Sequence, residues 1–231
     1  MIKPIDNYID YGVLTSGQRK EMVETQLLPR GIKDELVIDA FLNVPRECFV
    51  LEEYAGNAYD DAPLPIIDKQ TISQPYMVAV MTQLLELTAE DISKGVKILE
   101  IGTGAGYQAA ILAYMGCKVI SIERIGTVAD FAIENLKKLP CGERVKVFVA
   151  DGTLGWPDEA PFDGIIVTAA APTIPTALIH QLKISRKLII PCGNIMVQQL
   201  LQVVKEPNDI KINRHTACRF VPLIGKDGFP E

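Results

Sequence analysis

A chain of 231 residues, 48% hydrophobic and 23% charged, is long enough to bury one sizeable core. Its 23 Lys and Arg against 29 Asp and Glu leave a net charge of −6, which excludes the general basic footprint of a nucleic-acid or anionic-lipid binder and leaves room only for a local basic cleft. No apolar run reaches the roughly 18–20 residues of a membrane span, and MIKPIDNYIDYG at the start has neither the basic beginning nor the apolar middle of a signal peptide, so a cytoplasmic place is expected.

Residues 16–29, SGQRKEMVETQLLP, put Met22, Val23, Gln26 and Leu27 on one side, between Ser16 as N-cap and Pro29-Arg30-Gly31 as a stop, and predict a surface helix. KDELVIDAFLNVP predicts a second, with Leu36, Val37, Ala40 and Phe41 at helical spacing and an end before Pro45. Together they form a helical N-terminal cap. Residues 46–72 break the period; Tyr54, Tyr59, Asp60-Asp61 and the prolines of APLPIID read as an ordered loop, too apolar for a disordered linker. SQPYMVAVMTQLLEL then predicts a helix from the stripe Met77, Val80, Met81, Leu84 and Leu85, with Ser73 as its N-cap and Pro75 in its first turn.

From residue 96 the rhythm changes. VKILEI, KVISIE, VKVFVA, GIIVTA and KLIIPC are strands, separated by GYQAAILAYMG, TVADFAIENLKKL and IPTALIHQL as helices. Their apolarity is continuous rather than alternating, as expected of strands covered on both faces, and predicts a doubly wound α/β fold with a mostly parallel sheet. VQQLLQVVK and ACRFVPLIG follow as two further strands with no helix between them, which predicts an antiparallel C-terminal pair. The expected organisation is a single domain, 1–231, with residues 1–70 as helical cap and substrate loop and residues 71–231 as a cofactor-binding α/β core.

Cys48, Cys117, Cys141, Cys192 and Cys218 are odd in number and scattered, so they are expected to be reduced, mostly buried thiols, with no metal site. His180 and His215 are the two histidines, and neither belongs to a ligand-spaced cluster, so a structural place suits both. This scarcity disfavours imidazole-rich mechanisms.

KILEIGTGAGYQAA, residues 97–110, joins a strand to three glycines and a helix. In a parallel sheet such a loop meets a nucleotide-like ligand with its backbone N–H groups, placing Gly102, Thr103, Gly104, Ala105 and Gly106 at the ligand. The dinucleotide pattern is G-x-G-x-x-G, whereas here the third glycine comes one residue early, which tilts the reading from NAD towards S-adenosylmethionine; a tight turn requiring positive φ is the plain alternative. Glu123 ends the second strand, where a carboxylate can accept from both ribose hydroxyls, a contact that NAD sites also use. A solvated carboxylate beside Arg124 would explain it equally. Asp151-Gly152, after the third strand, suits the exocyclic amine of an adenine or an Asx-type turn.

QTISQPYMVA at 70–79, LEIGTGAGYQAA at 99–110, SIERI at 121–125, DGTLGW at 151–156, APFDGIIVTAAAP at 160–172 and RFVPLIG at 219–225 match one family block by block. The chain resembles the protein-L-isoaspartate O-methyltransferases. The resemblance implies a Rossmann-like methyltransferase fold, the cofactor S-adenosyl-L-methionine with S-adenosyl-L-homocysteine as product, and methyl transfer to the α-carboxylate of L-isoaspartyl residues in proteins and peptides. It makes Ser73 the active-site serine and lines cofactor and substrate with Gln70, Thr71 and Ile72. Gly102 to Gly106 would cradle the methionine moiety, Glu123 the ribose, and Asp151 and Gly152 the adenine. Phe220, Val221 and Pro222 match a segment near the peptide, although by pattern they are a core strand. Ala169-Ala170-Ala171 would leave room for a ligand or for close helix packing. The chain departs from the family at Tyr76, where His is frequent, at ISRKLIIP and at VQQLL, so Gln198 carries over only weakly.

The chemistry suits these residues. A carboxylate with a reference pKa of about 4 is already ionised, so the nucleophile needs no general base. Anionic oxygen meets cationic sulfonium and charge disperses on the way to the transition state, so a strong ion pair to the carboxylate would chiefly stabilise the ground state. TISQPYMV carries no formal charge and offers hydroxyls and amides instead. Three rivals stand beside this reading. One is an NAD-dependent oxidoreductase; another is a nucleic-acid methyltransferase using Pro191-Cys192, which the acidic charge disfavours; the third is a non-enzymatic binding module, which the complete TISQP segment argues against. Neither a specific nucleic acid nor a membrane is expected as a partner, and nothing in the sequence specifies an oligomer.

Overall fold

The computed structural model describes residues 15–230. The cap begins with α1 (Ser16–Met22), whose N-cap is Thr15 rather than Ser16. It widens into a π turn over Val23–Leu27 and tightens over Leu28–Arg30 before stopping at Gly31 with φ 87°. α2 (Glu35–Asn43) is capped by Asp34, whose carboxylate accepts from the N–H groups of Leu36 and Val37, an arrangement worth about 1 kcal/mol. It buries Val37, Ala40 and Phe41. Residues 46–72 form the ordered loop expected, built from short tight turns and a small antiparallel ladder in which β1 (Leu64–Pro65) pairs with β2 (Thr71–Ile72).

α3 (Pro75–Gln83) starts later and ends earlier than predicted: its N-cap is Gln74, without a side-chain cap bond, so Ser73 lies outside the helix. α4 (Ala89–Lys94), closed by a Thr88/Asp91 capping box, has no counterpart among the predicted elements. Thereafter the alternation holds. β3 (Lys97–Ile101), α5 (Tyr107–Tyr114), β4 (Lys118–Glu123), α6 (Gly126–Leu136), β5 (Val145–Val149), β6 (Phe162–Val167), α7 (Thr176–Gln181) and β8 (Gln198–Lys205) fall close to the predicted runs, whereas β7 (Leu182–Gly193) begins well before KLIIPC and takes in the ISR expected as a turn. Strand order is β5-β4-β3-β6-β7-β8, followed by β9 (Ile210–Cys218) at the edge. The first five strands are mutually parallel, and β7, β8 and β9 pair antiparallel.

The last strand lies elsewhere than predicted. ACRFVPLIG was expected to be the second member of the antiparallel pair, but β9 is IKINRHTAC, and only Ala217 and Cys218 are shared. A period-2 alternation of apolar and polar residues suits an exposed edge, whereas Pro222 has no N–H to give a ladder. Residues 219–225 run across the carboxyl end of the sheet instead: Ala170 N–H donates to Val221 O at 2.8 Å and Leu223 N–H to Ala170 O at 2.7 Å.

Side chains alternate between the two faces of the sheet. Ile98, Val119, Ile166 and Ile189 pack under α3, α5, α6 and the cap. Leu99, Ile120, Ile165 and Leu188 pack with α7 on the other face. The cap is anchored to the core by aromatic contacts: Phe41 meets the Tyr107 ring edge-on at 6.0 Å, and Phe49 meets it at 5.5 Å. Rings so placed add about 0.5–1.5 kcal/mol each beyond the area they bury. Tyr107 is the first residue of α5, so these contacts also brace the turn before it. Strand order reverses between β3 and β6, which opens the crevice at their carboxyl ends.

Candidate active site

Each glycine of the loop after β3 has its own physical reason. Gly102, at φ 93°, could not carry a Cβ because it would lie 2.5 Å from Thr168 Oγ1. That hydroxyl donates to Gly102 O at 2.5 Å and ties the loop to the end of β6. Gly104, at φ 53°, faces open space, with Thr71 O 4.0 Å from the place a Cβ would occupy. Gly106, at φ 91°, lets α5 approach α6, where a Cβ would stand 3.2 Å from Leu136 Cγ.

A cavity of about 240 Å³ opens over this loop. Its walls include Gln70, Thr71, Ile72 and Ser73 from the segment before α3, Gly102 to Ala105, Glu123, Gly152 and Val221, which brings together most of the residues singled out in the sequence. Gly106, Asp151 and Phe220 are off its wall. Glu123 is 8% exposed and already structural: Oε1 accepts from the N–H groups of Arg124 (2.9 Å) and Ile125 (3.1 Å), and Oε2 from Gly104 N–H at 3.1 Å. Oε2 keeps a further lone pair. The Asp151 carboxylate makes an Asx-type turn, accepting from Thr153 N–H at 2.9 Å, Thr153 Oγ1 at 2.7 Å and Lys226 N–H at 2.8 Å. Burial pushes its pKa up, but these bonds outweigh that and hold it below the ordinary carboxylate range. It faces the C-terminal segment, and the backbone of Gly152 faces the cavity.

A smaller hollow of about 40 Å³ adjoins the first and shares Thr71, Ser73, Thr168 and Val221 with it; Phe220 and Arg219 are on its own side. Ser73 therefore stands in the wall common to both. Its hydroxyl makes no hydrogen bond among the described residues. The helix that follows is capped from outside the segment by Asp61, which accepts from Tyr76 N–H at 3.2 Å and Gln74 Nε2 at 3.1 Å and pairs with Arg30. The Ser73 hydroxyl is thus not used in capping that helix. Tyr76 lies beneath the Arg30 guanidinium, whose Cζ is 3.3 Å from the ring centroid.

Other side chains act from behind. Gln198 is buried and off both walls; its Oε1 accepts from Phe220 N–H at 2.6 Å and its Nε2 donates to Asn194 O at 3.1 Å, so it holds the segment around Phe220 to the β7–β8 turn. The small side chains at 169–171 let strands approach: Ala171 N–H donates to Pro191 O at 2.9 Å and Gly193 N–H to Ala171 O at 3.0 Å. Ala169, one of the three small residues expected to leave room for a ligand, lines the cavity; Thr168, Leu223 and Ile224 line it too and were missed, the last two because their run looked like a strand. A hydroxyl at a strand end beside the glycine loop was the available signal for Thr168.

Neither histidine touches either hollow. All five cysteines are free, and burial, with the neighbouring Cys218 thiol, pushes Cys192 up to about 11, so it is a thiol rather than a nucleophilic thiolate. Beneath the loop, Glu100 is fully buried and bonded to Ser121 Oγ, which is 2.6 Å from Thr103 Oγ1. Burial pushes Glu100 up to about 8; the Ser121 bond opposes this and the Glu123 charge adds to it. Among the described residues no group of three or more His, Cys, Asp or Glu could hold a metal ion, and no helix is long and apolar enough to cross a membrane.

Comparison with known proteins gives a consistent picture. Residues 17–228 match the family model "Protein-L-isoaspartate(D-aspartate) O-methyltransferase (PCMT)". A protein-L-isoaspartate O-methyltransferase of Geobacter metallireducens is 51% identical over 212 residues, 91% of this chain and 95% of the relative. One of Syntrophobacter fumaroxidans is 51% identical over 211 residues, 91% and 96% of the two chains. Of solved structures, a protein-L-isoaspartate O-methyltransferase superimposes with TM-score 0.80 at 28% identity, covering 91% of this chain and 67% of that one. A Plasmodium falciparum protein of the same description, in complex with S-adenosyl-L-homocysteine, gives 0.77 at 28% identity, covering 89% and 98%.

Proposed function

The chain belongs to the protein-L-isoaspartate(D-aspartate) O-methyltransferase family, and from that premise we propose which of its residues hold the cofactor, the damaged residue and the reacting groups. The chain transfers a methyl group from S-adenosyl-L-methionine to the α-carboxylate of L-isoaspartyl residues in damaged proteins and peptides. In the resulting ester the neighbouring backbone nitrogen attacks the ester carbonyl and methanol leaves with the amide proton, closing a succinimide whose hydrolysis returns part of the damage to aspartate.

The residues of the larger cavity fit this cofactor. Gly104 leaves space where a side chain would stand, Glu123 Oε2 has a free lone pair, and Gly152 with Leu223 and Ile224 offers a mainly apolar wall for a flat base. In this reading Gln70, Thr71, Ile72 and Gly102 to Ala105 hold the methionine end, Glu123 the ribose and Gly152 the adenine, with Gly106 and Asp151 shaping the turns behind them. When bound, the cofactor supplies an electrophilic methyl group on a sulfonium.

The observation that carries the assignment is the free Ser73 hydroxyl in the wall shared by both hollows. From there it can donate to a carboxylate in the smaller hollow, which Phe220 and Val221 border, and orient it without an ion pair. The attacking oxygen is already anionic, and no imidazole stands nearby to act as a base. Proximity and alignment are then the main sources of rate, an effect reaching roughly 7–11 kcal/mol in well-oriented systems. Residues 1–231 act as one methyltransferase domain in this reading. It is supported by an apolar cluster joining Met22, Phe41 and Phe49 of the cap to Ile98, Val119 and Ile166 of the sheet. Isoaspartyl proteins and peptides are its partners, and five free thiols agree with a cytoplasmic place.

The test pairs isoaspartyl and aspartyl forms of one peptide with radiolabelled S-adenosyl-L-methionine. Base-labile label on the isoaspartyl form alone is expected, and equal labelling of the two would overturn the substrate assignment. Ser73→Ala should lower kcat while leaving cofactor affinity within about threefold; unchanged kcat would remove Ser73 from the reaction.

A further inference from the structure

Arg46 follows Pro45 in the first turn of the loop and is fully buried. Among the described residues no carboxylate lies within ion-pair distance of it. Nη1 instead donates to Ala58 O at 2.7 Å and Nη2 to Ser73 O at 2.7 Å. Its Cζ is 5.6 Å from the centroid of the Tyr107 ring, on the cavity wall. One guanidinium thus joins the substrate loop, the serine segment and the helix after the glycine loop.

A buried cation with no carboxylate in direct contact, and only Asp60 and Asp61 attracting it from further off, is costly, and an apolar side chain of similar volume would avoid that cost. Such a side chain would leave the carbonyls of Ala58 and Ser73 without these donors. The Ser73 carbonyl matters because its peptide plane sets the backbone torsion from which the side chain projects. No hydrogen bond anchors the hydroxyl itself, so its direction depends on that backbone. Lys offers a point charge rather than a planar fork and does not reproduce two diverging bonds.

We propose that Arg46 is a positioning residue for methyl transfer: its guanidinium clamps the Ser73 carbonyl to the Ala58 carbonyl and aims the serine hydroxyl at the junction of the two hollows. This rests on the role given to Ser73 above.

The test is Arg46→Met, which keeps apolar volume, with Arg46→Lys as a second variant should the first fail to fold. Three readouts are taken: methylation of the isoaspartyl peptide, S-adenosyl-L-homocysteine affinity by calorimetry, and amide exchange of the 70–77 segment. We expect kcat to fall at least about tenfold with cofactor affinity within about threefold, and exchange to quicken in 70–77 but not in the central strands. A folded variant with kcat within about twofold of the parent, or with cofactor affinity lost in parallel with kcat, would overturn the proposal. So would unchanged exchange in 70–77. If the parent fails to methylate the peptide, the reading of the activity falls and the proposed part in methyl transfer falls with it; the exchange result separately decides whether the clamp exists.

Discussion

Glu123→Gln separates the loop-bracing task that one carboxylate performs from the ribose contact proposed for it. Oε1 faces the N–H groups of Arg124 and Ile125, and Oε2 faces Gly104 N–H and the cavity. The amide of the variant keeps its carbonyl oxygen towards the first pair, because two donors await it there, and turns its NH₂ to Gly104 and the ligand. The proposed charge-assisted bond to a ribose hydroxyl would thereby be lost, at about 1.5–3 kcal/mol, which is roughly a 10- to 150-fold weaker Kd. The bond to Gly104 N–H is lost as well, so a loosened glycine loop could produce the same number. Calorimetry with S-adenosyl-L-homocysteine and its 2′-deoxy and 3′-deoxy analogues, on parent and variant, tells the two apart. If Glu123 acts through the ribose, removing the hydroxyl it holds costs the parent about tenfold or more and the variant little, a coupled cycle. Strict additivity for both analogues would refute the ribose contact and leave Glu123 as a loop brace.

Glu100→Gln tests the buried carboxyl beneath the loop. Its pKa of about 8 lies above the 4.5 of an unperturbed glutamate, so the folded chain keeps the proton longer and stability should fall as pH rises between those values, by a few kcal/mol. The Gln variant should lose this slope in urea unfolding between about pH 5.5 and about pH 8, and an equal slope in both proteins would refute it. Gly106→Ala places a Cβ 3.2 Å from Leu136 Cγ at φ 91°, and strain of roughly 1–2 kcal/mol should lower the melting temperature by a few degrees; an unchanged Tm would contradict the packing argument. Arg219 is an exposed cation bordering the smaller hollow, so Arg219→Gln should raise KM for an isoaspartyl peptide about two- to fivefold, less at high salt, with kcat unchanged. A fall in kcat at constant KM would mean that Arg219 acts on the reaction itself.

The central sheet was legible because its signals are local. Continuous apolar runs such as KILEI and FDGIIV are covered on both faces, and the glycines after β3 occupy left-handed conformations that other residues enter only under strain. The C-terminal strand was misplaced where apolarity and pairing part company. RFVPLIG is apolar because it packs across strand ends and lines the cavity, whereas IKINRHTAC is polar because it is the edge. Composition within a run reports burial; it does not report whether the burial comes from a sheet face or from a crossing segment.

The site shows the same division more sharply. Ser73 looked like an N-cap because Ser before Pro and an apolar helix is a local cap signal. The helix is instead capped by Asp61, 15 residues before Tyr76, whose N–H its carboxylate accepts. No spacing rule within the helix could reveal that partner. Its effect is to relieve the serine of a structural bond and leave the hydroxyl unpaired between two hollows. Arg46 is hidden for the same reason: a lone arginine after proline reads as surface, and only the folded chain shows its two carbonyl partners at 2.7 Å. The Ser73 segment carries no formal charge of its own, and Arg46 and Asp61, which support it from outside, act on its backbone C=O and N–H groups.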